Sequence, residues 1–189
     1  MDPDPKKRTD EELLKASREG NISAFEELVR RYEPKVARTV VSMLGPVDEA
    51  DDVGQETFVR FYYGLKHFRG EASIGTYITR IAINLSLNEL KRRERRRSIF
   101  KRIETGSRND EPAADNVLHH FEDREIIRNA MEKLNPKFRA VVTLRLIEGY
   151  STRETADILR LPIGTVLSRL KRAQEKLQSI LRTYKEGFL

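Results

Sequence analysis

The side chains in this sequence that could do chemistry are charges, and their spacing suits recognition better than bond-making. Five acids, Asp48, Glu49, Asp51, Asp52 and Glu56, fall within nine residues with no base among them. Farther on, Lys91 to Arg102 carries eight bases against the single acid Glu94. A third group, Thr165, Ser168, Arg169, Lys171 and Arg172, combines hydroxyls and bases at spacings that bring most of them to one side of a helix. Bases of this kind neutralise phosphates, and a Ser or Arg near a helix start can read base edges. Nothing in the chain spaces His, Cys or carboxylates for acid–base, nucleophilic or metal chemistry, and no Gly-rich phosphate loop appears. His119 and His120 are adjacent but lack the spaced carboxylate or Cys partners of a metal site, so they read as surface residues and neither metal nor cofactor is expected.

The elements that must position these groups all read as helix. Around the third group, Ser151 and Glu154 form a capping box that starts one helix, with Ala156, Ile158 and Leu159 as its apolar side. Pro162 and Gly164 break the pattern across a four-residue turn, and Val166, Leu170, Ala173 and Leu177 resume it. This is the layout of a helix-turn-helix, with Gly164, Leu167, Ser168, Lys171 and Arg172 outward and Arg169 on the flank. A solvated helix hairpin with ordinary surface charges is the alternative. Upstream, Asn135 and Pro136 open a helix lined by Phe138, Val141, Val142 and Leu146 and closed by Gly149. Before it, Glu122 to Leu134 presents Ile126, Ile127, Ala130, Met131 and Leu134.

In the first half, Thr9 with Glu12 and Ser23 with Glu26 make two capping boxes on either side of Gly20 and Asn21. The second helix carries Phe25, Leu28, Val29, Tyr32, Val36, Val40 and Met43 past Pro34, which predicts a kink near Arg30. Asp48 to Phe68 is the acid-led helix, and acids at a helix N-terminus are favoured by its dipole. Five exceed what capping requires, which points to a basic protein partner. A loop over Glu71 to Thr76 precedes a helix from Tyr77 to Arg97, buried through Ile78, Ile81 and Leu85 and presenting Arg80, Asn84, Asn88 and Lys91 on another side. Those Asn side chains either contact base edges or are polar surface. The following basic run, on the end of that helix, reads as phosphate-binding. Glu104 to Glu125 swings acidic, with seven acids against two bases, and marks a flexible linker between two domains.

The expected architecture is therefore all-α: a mobile tail over 1–8, an N-terminal helical domain over 9–100, a linker over 101–120 and a C-terminal helix-turn-helix domain over 121–189. A net charge of +6 over 189 residues favours an anionic partner, nucleic acid or a membrane surface. No apolar run approaches the length of a membrane span, and without cysteine a reducing compartment is unopposed, so a soluble cytoplasmic protein is expected.

Three stretches resemble one family. LPIGTVLSRLKRAQEKL, preceded by LNPKFRAVVTLRLIEGYSTRETADIL, is similar to the promoter-reading C-terminal domain of extracytoplasmic-function (ECF) sigma factors, small members of the bacterial sigma-70 family. The resemblance implies that Thr165, Ser168, Arg169, Lys171 and Arg172 contact the minus-35 element; Leu167 and Gln174 stand where the family usually has Lys or Arg. ADDVGQETF resembles the segment that holds the clamp of the largest RNA polymerase subunit, which implies core binding by Asp51, Asp52, Gln55, Glu56 and Phe58, with Gly54 replacing a usual apolar residue. FRGEASIGTYITRIAINL resembles the segment that melts and reads the minus-10 element. By that likeness Ser73, Ile74, Gly75, Thr76 and Tyr77 form a loop and base pocket, with Arg80, Asn84, Asn88 and Lys91 on the helix below, and Tyr77 replaces a usual Trp. The implied function is that of an alternative sigma factor, partnered by polymerase core, promoter DNA and an anti-sigma factor, with the chemistry left to the polymerase. A DNA-binding repressor or activator would share the last domain but needs neither the acids nor the melting segment.

Overall fold

The computed structural model describes residues 5–70, 72–104 and 123–186, and among the described residues every regular element is helical. The N-terminal half contains α1 (Asp10–Arg18), α2 (Ile22–Leu44), α3 (Asp48–Gly64) and α4 (Ile74–Glu104). The C-terminal half contains α5 (Asp123–Glu132), α6 (Pro136–Val142), α7 (Thr152–Leu159) and α8 (Ile163–Glu186). Short 3-10 turns occupy Pro5–Lys7 and Leu65–His67, and Thr143–Ile147 is π-helical.

The caps explain where the first helices begin. Thr9 accepts from the Glu12 amide at 3.3 Å while the Glu12 carboxylate accepts from the Thr9 amide at 2.7 Å, closing the box expected there. The Ser23–Glu26 box does not form. Gly20, at φ +93, turns the chain one step earlier, so the Asn21 side chain accepts from the Ala24 amide at 2.9 Å and Ser23 is already inside α2. Nor does the segment before α1 hang free throughout: Arg31 donates to the carbonyls of Pro5, Lys6 and Arg8 and ties residues 5–8 to α2. Residues 1–4 lie outside the described residues.

In α2 the helical assignment continues through Pro34 to Leu44, with Pro34 and Arg30 both on the exposed side, where water can serve the carbonyl that Pro leaves without a donor. Glu27 is buried on this helix and accepts from Arg30 at 2.7 and 2.8 Å and from Arg31 at 2.8 Å. These guanidinium bonds, Arg30's foremost, hold its carboxyl at about 2 against an ordinary 4.5. A depressed carboxylate pKa contributes stability above the unfolded value and loses it as pH falls through the folded one. Glu27→Gln should therefore flatten the acid limb: denaturant midpoints of variant and wild type should converge as pH drops from about 4.5 towards about 2, and a constant gap across that window would show that Glu27 is not the titrating group.

Two helix boundaries differ from the expected ones. α3 stops at Gly64 rather than Phe68, and the chain tightens into the Leu65–His67 turn; the Tyr77 hydroxyl lies 2.5 Å from where a Cβ at Gly64 would stand. α4 starts at Ile74 rather than Tyr77. Ser73 caps it, accepting from the Thr76 amide at 3.1 Å, so Ile74, Gly75 and Thr76 are its first turn and not a loop. At its other end α4 runs to Glu104, about 46 Å in all, and absorbs 101–104 from the expected linker. The rest of that linker, with His119 and His120, lies outside the described residues.

The cores follow from these stripes. Leu13, Leu28, Val40, Met43, Phe61, Leu65, Ile78 and Ile83 form the centre of the N-terminal half. Met131, Leu134, Val142 and Ala173 form one C-terminal cluster, and Val141, Ala156 and Val166 another. Ala140, Leu144, Tyr150 and Ile158 of the C-terminal half belong instead to the N-terminal cluster, so the two halves share a core. The π segment decides one of these. Its Thr143 carbonyl accepts from the Glu148 amide at 2.9 Å, a five-residue step, and the shifted phase buries Leu144 and leaves Leu146, expected inside, 55% exposed. Ile127 of α5, also expected inside, is likewise 55% exposed.

Candidate nucleic-acid and polymerase-binding surfaces

The helix-turn-helix is built by the expected cap and an unexpected turn. Ser151 accepts from the Glu154 amide at 3.2 Å and the Glu154 carboxylate accepts from the Ser151 amide at 2.8 Å, which lowers the Glu154 pKa and fixes the start of α7. α7 ends on Arg160 in the left-handed region, at φ +53, without a glycine. The turn is Arg160 to Pro162, and Gly164 lies in the first turn of α8, where the sequence reading had counted it in the break. Val166 and Ala173 are fully buried and Leu170 half-buried, so the opposite face presents Leu167, Ser168, Lys171, Arg172 and Gln174 to solvent, with Thr165 and Arg169 at its margins. That face is as expected, and Ser168 donates to the Thr165 carbonyl at 3.1 Å.

The acids sit on α3 beside α2. Between the two helices runs a groove whose lining includes Val29, Val36, Val41, Asp51, Gln55 and Phe58. Gly54 also faces it, and a Cβ there would meet nothing, so the groove is deeper than an apolar side chain would leave it. Asp52 is exposed outside the groove, and Glu56 is engaged by Arg60 at 2.7 Å. The predicted set is thus divided into a wall of the groove and its approach.

The third set divides more sharply. Ser73, Thr76 and Arg80 line an open cleft. Ile74 and Gly75 are buried, a Cβ on Gly75 standing 3.1 Å from the Tyr32 ring. Tyr77 packs against Phe68 at 4.9 Å and Phe61 at 6.1 Å between ring centroids, so it supports the turn from below. Arg80, Asn84, Asn88 and Lys91 follow one line along α4, the last three exposed. The basic run beyond them is partly committed to the fold: Glu89, buried, takes Arg92 at 2.7 Å, Arg93 at 3.4 Å and Arg96 at 3.1 Å, and Arg93 reaches Glu49 at 3.2 Å. The signal for this was legible, since Glu89 stands three, four and seven residues before those bases.

Two family models match the chain over these surfaces: Sigma-70 region 2 over residues 28–96, which spans the groove, the cleft and most of α4, and Sigma-70 region 4 over 124–177. The chain belongs to the sigma-70 family. This sigma factor is 36% identical to the ECF RNA polymerase sigma-E factor of Escherichia coli (strain K12), with 92% of this chain and 97% of the relative covered. It is 32% identical to the RNA polymerase sigma-H factor of Pseudomonas aeruginosa, at 92% and 94% coverage. Among solved structures, CnrH in complex with the cytosolic domain of CnrY is similar at a TM-score of 0.67 and 26% identity, over 92% of this chain and 97% of that one. The sigma factor RpoE of Bartonella quintana, solved with the anti-sigma factor NepR, shares the fold at a TM-score of 0.64 and 22% identity, over 85% and 98%. The chain is an alternative, ECF-type sigma factor of transcription initiation, and the repressor reading is not favoured. Among the described residues no helix is long and apolar enough to cross a membrane, and no group of His, Cys, Asp or Glu could hold a metal.

Proposed function

We propose that this sigma factor brings polymerase core to promoters through three surfaces, each assigned to named residues. The observation that carries the proposal is the occurrence on one chain of an acid-walled apolar groove and a basic, outward helix-turn-helix face. An amphipathic helical partner that brings bases to Asp51 and apolar side chains to Val36, Val41 and Phe58 fits the groove, as the clamp of the largest polymerase subunit would. Asp52, Gln55 and Glu56 extend the contact along α3. Ser73, Thr76 and Arg80, with Asn84, Asn88 and Lys91 below, read the minus-10 element, while Ile74, Gly75 and Tyr77 position that turn. Thr165, Ser168, Arg169, Lys171 and Arg172 read the minus-35 element. The N-terminal domain spans 9–104 and the helix-turn-helix domain begins near 121. The chain has no active site of its own, works in the cytoplasm, and is held in check by an anti-sigma factor, as RpoE of Bartonella quintana is bound by NepR.

Run-off transcription with purified core and a promoter library tests this. Initiation at a defined set of promoters is expected; none at any, by a chain shown to be folded, would return the repressor reading. Within that assay, Arg172→Ala or Lys171→Ala should weaken minus-35 recognition by about 1 to 3 kcal/mol if a base contact is lost. A phosphate contact would instead weaken matched and mismatched duplexes alike, and no change on either would remove the residue from the interface.

A further inference from the structure

Charge reverses along α3. Its opening turns carry Asp48, Glu49, Asp51, Asp52 and Glu56, whereas from Thr57 through the Leu65–His67 turn to Gly70 there is no acid, and Arg60, Lys66, His67 and Arg69 follow one another. Arg60 is held by Glu56, but Lys66, His67 and Arg69 are exposed and take part in no ion pair among the described residues. A further positive charge comes from α1, where Arg18 donates to the Leu65 carbonyl at 2.9 Å and to that of Phe68, which sets its guanidinium against the turn.

At the same end of α3 stands Tyr63, 75% exposed, more than any other large apolar side chain among the described residues. Its ring meets Tyr62 in a T-shaped contact at 5.8 Å between centroids, and Tyr62 meets Phe25 at 4.9 Å in the same manner. Such a contact holds the Tyr63 ring from one side and leaves at least one of its faces open. The neighbouring Gly64 has the Tyr77 hydroxyl against it, so this end of α3 abuts the first turn of α4. Arg69 stands four residues before Ser73, with at most about 14 Å of chain between them. An open aromatic face, unpaired bases and the minus-10 turn thus lie on one continuous surface.

We propose that Tyr63, Lys66, His67 and Arg69 form a platform for single-stranded DNA that takes up bases flanking the minus-10 element as the promoter opens. The inference rests on the minus-10 reading above and extends it past Ser73 and Thr76. A melted strand offers what this surface can use: free π faces to stack on Tyr63, and a phosphate on every nucleotide for Lys66 and Arg69, whose neutralisation releases counterions. Every base has a π face, so the platform tolerates sequence where the turn reads it. In a duplex the same faces are stacked on one another, and only the phosphates remain to be bound. The surface therefore has a differential affinity for the open strand, and that difference shifts the promoter towards the melted form. A protein partner fits less well, because one that brings bases to Asp51 would meet like charge at Lys66 and Arg69.

The test is fluorescence anisotropy of the full chain with a labelled oligothymidylate of about 20 nucleotides, longer than one platform needs, and with a duplex of the same length. Wild type should bind the single strand at low salt. Tyr63→Leu, which keeps an apolar side chain but removes the π face, should weaken that binding about five- to thirtyfold, while Tyr63→Phe stays within about twofold of wild type. On the duplex Tyr63→Leu should match wild type. Lys66→Ala with Arg69→Ala should lower the slope of log affinity against log salt on the single strand by about 1.4, and this pair decides the proposal if the leucine variant does not fold. The platform is overturned if wild type leaves the oligothymidylate unbound, if Tyr63→Leu binds it as tightly as wild type, if the duplex loses as much as the single strand, or if the alanine pair leaves the slope unchanged. A Tyr63→Leu variant that keeps the oligothymidylate but no longer co-purifies with core marks a protein contact and likewise overturns it. The oligonucleotide measurements need no polymerase, so a wild type that binds no core counts against the functional reading alone, and single-strand binding still decides the platform.

Discussion

Reversing Asp51 and Asp52 to lysine will abolish binding to polymerase core and leave the fold intact. Both side chains are exposed on α3, and neither takes part in an ion pair among the described residues. Their reversal forfeits a favourable dipole contribution of about 0.3 to 1 kcal/mol each at the start of the helix, a cost the domain can absorb. At the interface the change is larger, because two like charges now face a basic partner, which costs several kcal/mol. An affinity loss of at least about 100-fold is expected, read by co-purification with core and by titration, with the melting temperature lowered by a few degrees at most. Unchanged co-purification would sink the assignment of the groove. A large fall in melting temperature would mean that the acids serve the fold.

Phe61→Ala should be the most damaging single substitution for stability. Its ring is fully buried where α3 faces α2 and α4, 5.8 Å from Phe25 and 6.1 Å from Tyr77 between centroids. Truncating a buried Phe costs about 3 to 5 kcal/mol, transfer and cavity together. For a domain of this size that lowers the melting temperature by well over about 10 °C. The loss has a functional side, since Tyr77 would lose a wall of its socket and the first turn of α4 would no longer be braced beneath the cleft. Phe61→Leu should recover most of the stability. A cost below about 1 kcal/mol for the alanine variant would show that the core closes over the gap.

The sequence disclosed what local chemistry decides. The Thr9–Glu12 and Ser151–Glu154 boxes, the Asn135–Pro136 start and the outward face of α8 each depend on residues within a few positions of one another, and each is found as read. It disclosed less where two signals competed. Asn21 and Ser23 are both good caps, and the positive φ of Gly20 chose between them. Ser73 was legible as a cap in principle, but the loop suggested by Gly70 and Gly75 hid the first turn of α4. What the sequence did not disclose was the joint between the halves. An acidic, Gly- and Ser-containing stretch implies separate bodies, and only the three-dimensional arrangement shows Leu144 and Tyr150 completing a core that begins more than a hundred residues earlier. Arg139, a base inside the apolar run of α6, was the one local hint, and a buried guanidinium needs acceptors from elsewhere. The candidate sites were legible as residue sets, but not their division into groove wall and approach, or into cleft lining and support.

The π-helical segment has a consequence for how this protein can change over time. Each residue of an α-helix turns the chain by about 100° and advances it about 1.5 Å, so a segment that spends one more residue on a turn sets the azimuth of everything after it. Here that includes Tyr150, whose amide reaches back to the Leu144 carbonyl at 2.9 Å, and then α7 and the reading face of α8. Substitutions among Thr143 to Ile147 can be absorbed one at a time. Losing a single residue from that stretch would let the wide turn close as ordinary helix with the bearing of α8 kept, whereas an added residue that the turn could not hold would swing α8 by about 100°. Added length at this point is thus harder to absorb than a change of composition, and an insertion there would act as a rotation of the promoter-reading unit.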